Sequence, residues 1–380
     1  MRRFTGVLTL IGVALTMFAG AQAAQAAKTV KVSGKAFVFN HMDTYISGAT
    51  IKVREFPKIS TTTDALGDYV LTVPNDANVT PYILSGEGLL TKHDKTDDSP
   101  TGTVQTHWNE IDLQTFHTRG QAIENANFQT PADFEYNALK GILKVPARED
   151  GRPEQCAIVT TASARNVRGV DYHGYWVNTP HGVPGATSVE YPALDGPIYF
   201  NQFVIPDPTK TETSEDGGIV WTNVPAGPVR IVTKSPTDRF ASFLATCAPG
   251  RVINANPPWG AYQLSPGEKP LAASNVAASV ISAKIVKQGK QRRVARVALN
   301  IGENIEADVN VNVRGGGVGM LRQLKPRIRR FNFPIFRQVK ARKATIVVKL
   351  KDASGVSFRT VKKVNVPKIA KPKKKWKKRR

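Results

Sequence analysis

The chain has 380 residues, 41% of them hydrophobic, with 53 Lys and Arg against 30 Asp and Glu and a net charge of +23. That length suits two or three domains of about 100–150 residues, and after the N-terminus no run of 18 apolar residues remains to span a membrane as a helix. The charge is uneven: residues 281–380 hold 30 basic and 4 acidic groups, while the first 280 carry a net charge of −3, an asymmetry that points to a polyanionic partner.

The N-terminus has the plan of a secretory signal peptide over 1–26. Arg2 and Arg3 precede an apolar run from Val7 to Phe18, then two A-x-A sites, Ala21–Ala23 and Ala24–Ala26. The mature chain is expected to begin at Ala24 or Ala27 and to be secreted or held on the extracellular cell envelope.

Beyond it the expected class is all-β, a set of tandem β-sandwich modules. Short β-rich runs alternate with Gly, Pro, Asp and Asn, and helix signals are sparse. In the first module, 27–114, Lys35–Phe39 and Gly48–Val53 read as strands and Thr61–Pro74 as a hairpin. Asp64 suits the turn because its carboxylate can accept backbone N–H groups two residues on. Gly67 supplies a residue free to take φ > 0. Tyr69, Leu71 and Val73 then alternate with Asp68, Val70 and Thr72, which puts the first set on the core face.

The second module, 115–262, echoes the first. Val183–Thr187 repeats Ile46–Thr50, and Thr211–Gly227 repeats the hairpin, with Gly217 at the turn and Ile219 and Trp221 in the places of Tyr69 and Leu71. The pattern of Gly, G-A-x-V, T-T-D-x-x-G-x-Y-x-L and V-P resembles the carboxypeptidase regulatory-like family. Asp64, Gly67, Tyr69, Leu71 and Pro74 match it in the first copy. In the second, Ser214 replaces the Asp and Ile219 the aromatic. The resemblance implies a transthyretin-like or prealbumin-like seven-stranded sandwich, used as a structural appendage or adhesive spacer, with no catalytic residues to carry over.

Residues 263–277 read as a linker, and 278–366 as a basic sandwich loosely like Ig or fibronectin modules. Its expected strands are Val280–Val286, Val294–Leu299, Ile305–Val313, Ile328–Ile335, Thr345–Leu350 and Val356–Val366. Gly315–Gly319 reads as a loop between strands. The polybasic tail, 367–380, is expected to be disordered by charge repulsion.

Cys156 and Cys247 are the only cysteines. Export makes a disulfide their default, worth about 4–5 kcal/mol in the chain-entropy model; two buried free thiols are the alternative.

No G-x-S-x-G, H-E-x-x-H, G-x-x-x-x-G-K-[ST] or G-x-G-x-x-G occurs, and no catalytic residue, metal ligand or cofactor is expected. His93, Asp94, His107, Glu110, Asp112 and His117 are zinc-type ligands without compact ligand spacing. Tyr172, His173, Tyr175 and His181 are the residue types of an intradiol dioxygenase iron site, but clustered where that family spreads them. The turn Glu215-Asp216-Gly217 offers calcium too few oxygens. Tyr172, Tyr175, Trp176 and Trp259 sit in loop-like contexts, and Trp176 and Trp259 are candidates for stacking on sugars. In the tail, Lys373, Lys374, Lys375, Lys377, Lys378, Arg379 and Arg380 surround Trp376 and suit an anionic cell-envelope polymer or polysaccharide. Nucleic acid is not expected for an exported chain. The reading is a non-enzymatic adhesive, ligand-binding or structural protein. Its rivals are a secreted metal-dependent hydrolase or dioxygenase with its site in 115–262, and a carbohydrate-binding protein.

Overall fold

A computed structural model describes residues 29–168, 181–255, 257–290, 292–314, 316–335 and 341–369. The chain is all-β, a series of packed sandwiches. The first is organised by the alternating strand Thr29–Val38. It pairs antiparallel with Asp68–Pro74, placing Gly34 opposite Tyr69 and Val32 opposite Leu71, and parallel with Phe128–Thr130. Tyr69, Leu71 and Val73 are buried while Asp68, Val70 and Thr72 are exposed, as period-two alternation requires. Thr50–Val53, Pro81–Ile83 and Ile111–Asp112 form the facing sheet. Val32, Leu71, Ile51, Ile83, Phe116 and Phe128 meet in the core between them.

The hairpin turn follows the expected chemistry. Asp64 Oδ1 accepts the N–H groups of Leu66 and Asp68, both at 2.9 Å. Gly67 has φ +74°, and a Cβ there would lie 2.5 Å from the Ala36 carbonyl oxygen.

In the second sandwich Cys156–Ser163 takes the central place. It pairs antiparallel with Gly218–Val224 and parallel with Val252–Ala255 and Ala261–Leu264. Thr187–Tyr191, Gly227–Lys234 and Phe243–Cys247 face it. The internal repeat holds bond by bond. Ala36 N–H donates to Gly67 O, and Ala162 N–H to Gly217 O, both at 2.8 Å. Ile46 donates to Ala36 O, and Val183 to Ala162 O. Gly48 donates to Thr63 O, and Gly185 to Thr213 O. Ala49 N–H donates to Thr63 Oγ1, and Ala186 N–H to Thr213 Oγ1. Where Ser214 stands in place of Asp64, the cap is shared: Ser214 Oγ accepts Asp216 N–H at 3.3 Å and Asp216 Oδ2 accepts Gly218 N–H at 3.0 Å.

Backbone hydrogen bonding runs across residue 114. Asp112 pairs parallel with Ile253, so the second sheet of the first sandwich continues into the second sandwich. Asp133–Ile142, which the sequence reading left out, is the one α-helix among the described residues. Asp133 and Glu135 sit in its first turn and Lys140 in its last, the arrangement its dipole favours. Tyr136, Leu139 and Leu143 line a cavity with Phe39 and with Ile111 and Val252 of the shared sheet.

Among the described residues the C-terminal sandwich has seven strands. Ala278–Gln288, Arg292–Ile301 and Arg327–Ile335 form one sheet; Gly316–Leu324, Ile305–Val313, Lys343–Lys351 and Ser357–Asn365 form the other. The expected loop at Gly315–Gly319 is corrected: Gly316–Leu324 is a strand. Gly317 and Gly319 stand opposite Asn312 and Asn310. A Cβ on Gly319 would lie 2.4 Å from Asn310 Oδ1, so these glycines make room for asparagine side chains lying across the sheet.

The segment 263–277 is embedded. Leu271 N–H donates to Tyr262 Oη at 2.6 Å, and Ser274, Val276 and Ala277 are buried. Around it lies a buried ionic joint. Arg230, 2% exposed, donates to Glu303 through Nε at 2.8 Å and through Nη2. Its Nη1 donates to Ser274 O at 2.8 Å and to Ser242 Oγ at 3.3 Å. Asp352 Oδ2 lies 3.9 Å away, and Glu303 Oε1 also accepts Ala277 N–H at 2.6 Å. Arg119, from the first sandwich side, donates to the carbonyls of Val276 and Ala278 and stacks 4.1 Å from the Phe358 ring centroid.

Two variants test these points. Gly67→Val puts a β-branched residue at φ > 0 against a carbonyl and should cost about 1–3 kcal/mol or more; an unchanged urea midpoint would refute the turn geometry. Arg230→Ala strands two buried carboxylates and should cost about 3–5 kcal/mol. A loss below 1 kcal/mol in chemical denaturation would show that water reaches the joint.

Candidate functional site

The faces of the C-terminal sandwich follow from strand alternation. Inward go Ile285, Val297, Leu299 and Phe333 from one sheet, and Val309, Val311, Ile346 and Val348 from the other. The alternate positions point outward, and several of them are cationic. Lys284 stands directly opposite Arg296, with Arg330 on the next rung beside Ala298. On the other sheet Lys349 stands opposite Arg359. Like charges directly opposite each other across a sheet destabilise it by about 0.2–1 kcal/mol per pair.

The four acids of this region are disposed in two ways. Glu303 and Asp352 are buried at the joint against Arg230. Burial pushes the Asp352 carboxyl up from its ordinary value, and Arg230 opposes that shift. For Arg230, burial works against the charge, and the attraction of Glu303 and Asp352 overcomes it, leaving a net rise. Glu306 and Asp308 stay on the outer face opposite Lys351 and Lys349. Among the described residues neither forms an ion pair: Glu306 accepts Gln323 Nε2 at 3.4 Å, and Asp308 accepts Asn310 Nδ2. The joint thus removes two of the four available acids from a surface that the sequence makes basic.

Cys156 and Cys247 form a disulfide with a Cα–Cα distance of 5.6 Å. It ties the central strand of one sheet to Phe243–Cys247 of the other, closing the second sandwich.

The zinc-type residues are dispersed. His107 Nδ1 lies 2.8 Å from Asp133. His117 is buried between Asn78 and Asp76, and burial pushes its pKa down. His93 stacks on Tyr45 with ring centroids 4.3 Å apart. Asp112 and Glu110 are engaged by Arg54, and Glu110 also by Arg152. Among the described residues no group of three or more His, Cys, Asp or Glu side chains is placed to hold a metal ion.

Trp259 is corrected from candidate sugar platform to core residue. It is buried, donates Nε1–H to Glu124 O at 2.8 Å and packs edge-on to Phe116, so its ring faces are spent on packing. Tyr172, His173, Tyr175, Trp176, the signal peptide and the tail lysines and arginines 373–380 lie outside the described residues. No helix among the described residues is long and apolar enough to cross a membrane.

One acid, weighed in the sequence only as part of a calcium turn, faces a cavity instead. Asp216 lines a cavity of about 210 Å³ with Phe39, Met42, Val159, Phe200 and Val204, and with the polar Gln129, Thr160 and His181. Burial pushes its carboxyl up to about 6, against a single opposing hydrogen bond from Gly218 N–H. The available signal was the departure of the second copy from the first at residues 214 and 216.

No protein-family model matches the chain, and no curated protein matches it. Among solved structures it is similar in part to wild-type OgpA from Akkermansia muciniphila, with 13% identity over 30% of this chain and 38% of that one and a TM-score of 0.19. It is also similar to BcpA, the major pilin subunit of Bacillus cereus, with 10% identity over 56% of this chain and 69% of that one and a TM-score of 0.18. A tetra-tandem repeat from the extending region of a large adhesion protein gives 9% identity over 89% and 74%, with a TM-score of 0.22. The chain spans well under half the length of OgpA, and at these scores the likenesses carry no argument about function.

Asp216 gives a test of the local electrostatics. Its pKa rises from 3.8 to about 6 on folding, so the folded state holds the proton more tightly. Stability should therefore fall as pH rises from about 4 to 6 and stay flat above. Asp216→Asn keeps an acceptor for Gly218 N–H without the charge. Urea midpoints should show the variant gaining on the wild type across that window; parallel stability curves would contradict the buried charge.

Proposed function

We propose that this is an exported, non-enzymatic protein of the bacterial cell envelope, adhesive or structural, whose C-terminal sandwich and tail hold anionic envelope polymer. The observation that carries the reading is the like-charge rung of Lys284 opposite Arg296, with a second, Lys349 opposite Arg359, beside Asp308, on a module with two of its four acids buried. Such rungs cost the isolated fold stability, and a bound polyanion turns that cost into attraction. The signal-peptide pattern supplies the compartment, and the disulfide suits it. A chain of sandwiches locked at a buried joint suits a load-bearing or presenting role better than one that needs domain motion.

Binding of purified teichoic acid across a salt series tests this. Each phosphate neutralised on a nucleic-acid-like polyanion releases about 0.7–0.9 condensed cation, so affinity should fall steeply with salt. Deleting 367–380, which removes nine basic groups, should lower the salt slope without abolishing it. Arg296→Gln should lower it further while leaving the melting temperature equal or higher, because it removes a repulsive rung. If full-length, truncated and Arg296→Gln proteins share one slope, the basic module is not the contact. Tighter binding of duplex DNA than of teichoic acid would overturn the envelope reading.

A further inference from the structure

We propose that the cavity lined by Asp216, the polar His181 and Thr160, and the apolar Phe39, Val159 and Phe200 is a binding site for an alkylammonium group. The carboxylate is set for a cation. Asp216 Oδ2 accepts one backbone N–H, from Gly218, and among the described residues no Lys or Arg forms an ion pair with it. A half-buried carboxylate with one hydrogen bond and no counter-ion is costly unless a ligand supplies the charge.

The repeat shows that the fold does not demand a charge there. The residue equivalent to Asp216 in the first copy is Leu66, and there the turn is capped from Asp64. In the second copy the acid sits two positions further on, where it both caps the turn and lines the cavity.

The walls suit the rest of such a ligand. A Cβ built on Gly218 would meet Asp216 Oδ2 at 2.4 Å and Phe200 Cγ at 2.7 Å. The bare glycine therefore keeps the carboxylate and the aromatic ring together at one point of the wall. An ammonium there gains from both, by charge pairing and by attraction to the ring. Phe39, Val159 and Phe200 also line a second, almost wholly apolar cavity of about 80 Å³ beneath the helix Asp133–Ile142, with Leu139 and Leu143 on its far side. An alkyl stem reaching from Asp216 along this shared wall would be buried on apolar side chains.

Val204, a β-branched residue at φ +62°, is part of the lining. Such a conformation costs about 1–3 kcal/mol and persists where its surroundings enforce it.

An alkylammonium can be a free amine or a lysine side chain, and the assay separates them. Full-length protein is titrated calorimetrically with hexylammonium chloride, with hexanol, and with Nα-acetyl-lysine methylamide. Hexylammonium should bind at least about tenfold more tightly than hexanol, a difference of about 1.4 kcal/mol. Asp216→Asn should bring the two within about twofold while hexanol binding persists, and Gly218→Ala, which fills the junction, should weaken both. Acetyl-lysine methylamide binding more tightly than hexylammonium supports the site and identifies a protein side chain as the source; the reverse supports it with a free amine. Equal affinity of wild type for hexylammonium and hexanol, or no saturable hexylammonium binding at millimolar concentration, overturns the proposal without recourse to any variant. Preference for hexylammonium that survives in folded Asp216→Asn also overturns it, because the cation is then held elsewhere.

Discussion

The arrangement of the molecule depends on one buried guanidinium. Arg230 rises from a central strand of the second sandwich and is met by Glu303 and Asp352 from two loops of the third and by the Ser274 carbonyl of the segment between them. A charge removed from water this completely must find every partner or the joint opens. The net gain from such a pair is small, because desolvation offsets most of the attraction. Its effect is geometric: the guanidinium fork donates to its partners in one plane, so the sandwiches have one docking angle that leaves no buried charge unpaired. Arg119, bonded to the Val276 and Ala278 carbonyls and stacked on Phe358, applies the same kind of constraint from the first sandwich.

That joint was invisible in the sequence for a physical reason. Arg230, Glu303 and Asp352 are far apart along the chain, and each sits among residues that read as ordinary strand or turn. The segment 263–277 looks like a tether because it is rich in Pro, Gly, Ala and Ser, yet such small residues also let backbone approach backbone, and here Ser274 and Ala277 use that closeness to bond the ion pair. The helix Asp133–Ile142 escaped notice because it is one element of ten residues and has no fully buried side chain. Its apolar positions cover a sheet rather than forming a core of their own.

What could be read was local. Asp64 and Gly67 announce their turn because carboxylate capping and positive φ are decided within five residues, and Tyr69, Leu71 and Val73 announce their face by alternation alone. The repeat was legible for the same reason: the bonds that define it join Ala36, Gly48, Thr63 and Gly67 in one copy and Ala162, Gly185, Thr213 and Gly217 in the other. Trp259 misled because a tryptophan after two prolines resembles an exposed loop residue, and only tertiary packing against Phe116 and Tyr262 decides otherwise.

The two departures from the repeat are where the second copy acquires chemistry of its own. In the first sandwich Asp64 does nothing but cap a turn, and an exposed Leu66 follows it. In the second, Ser214 keeps one of those two bonds, and Asp216 takes the other from a position that also faces a cavity. The central strand of its facing sheet, Gly227–Lys234, carries Arg230 into the joint. One sandwich therefore presents an unpaired anion on one side and a fully paired cation on the other, while its core keeps the ordinary packing of Ile158, Trp221 and Phe243. The first copy keeps the fold of the repeat without either feature, so both belong to what distinguishes the second copy. Charge is partitioned along the chain in the same spirit: two acids of the last module are withdrawn into the joint, and on the outer faces beyond it lysines and arginines outnumber Glu306 and Asp308.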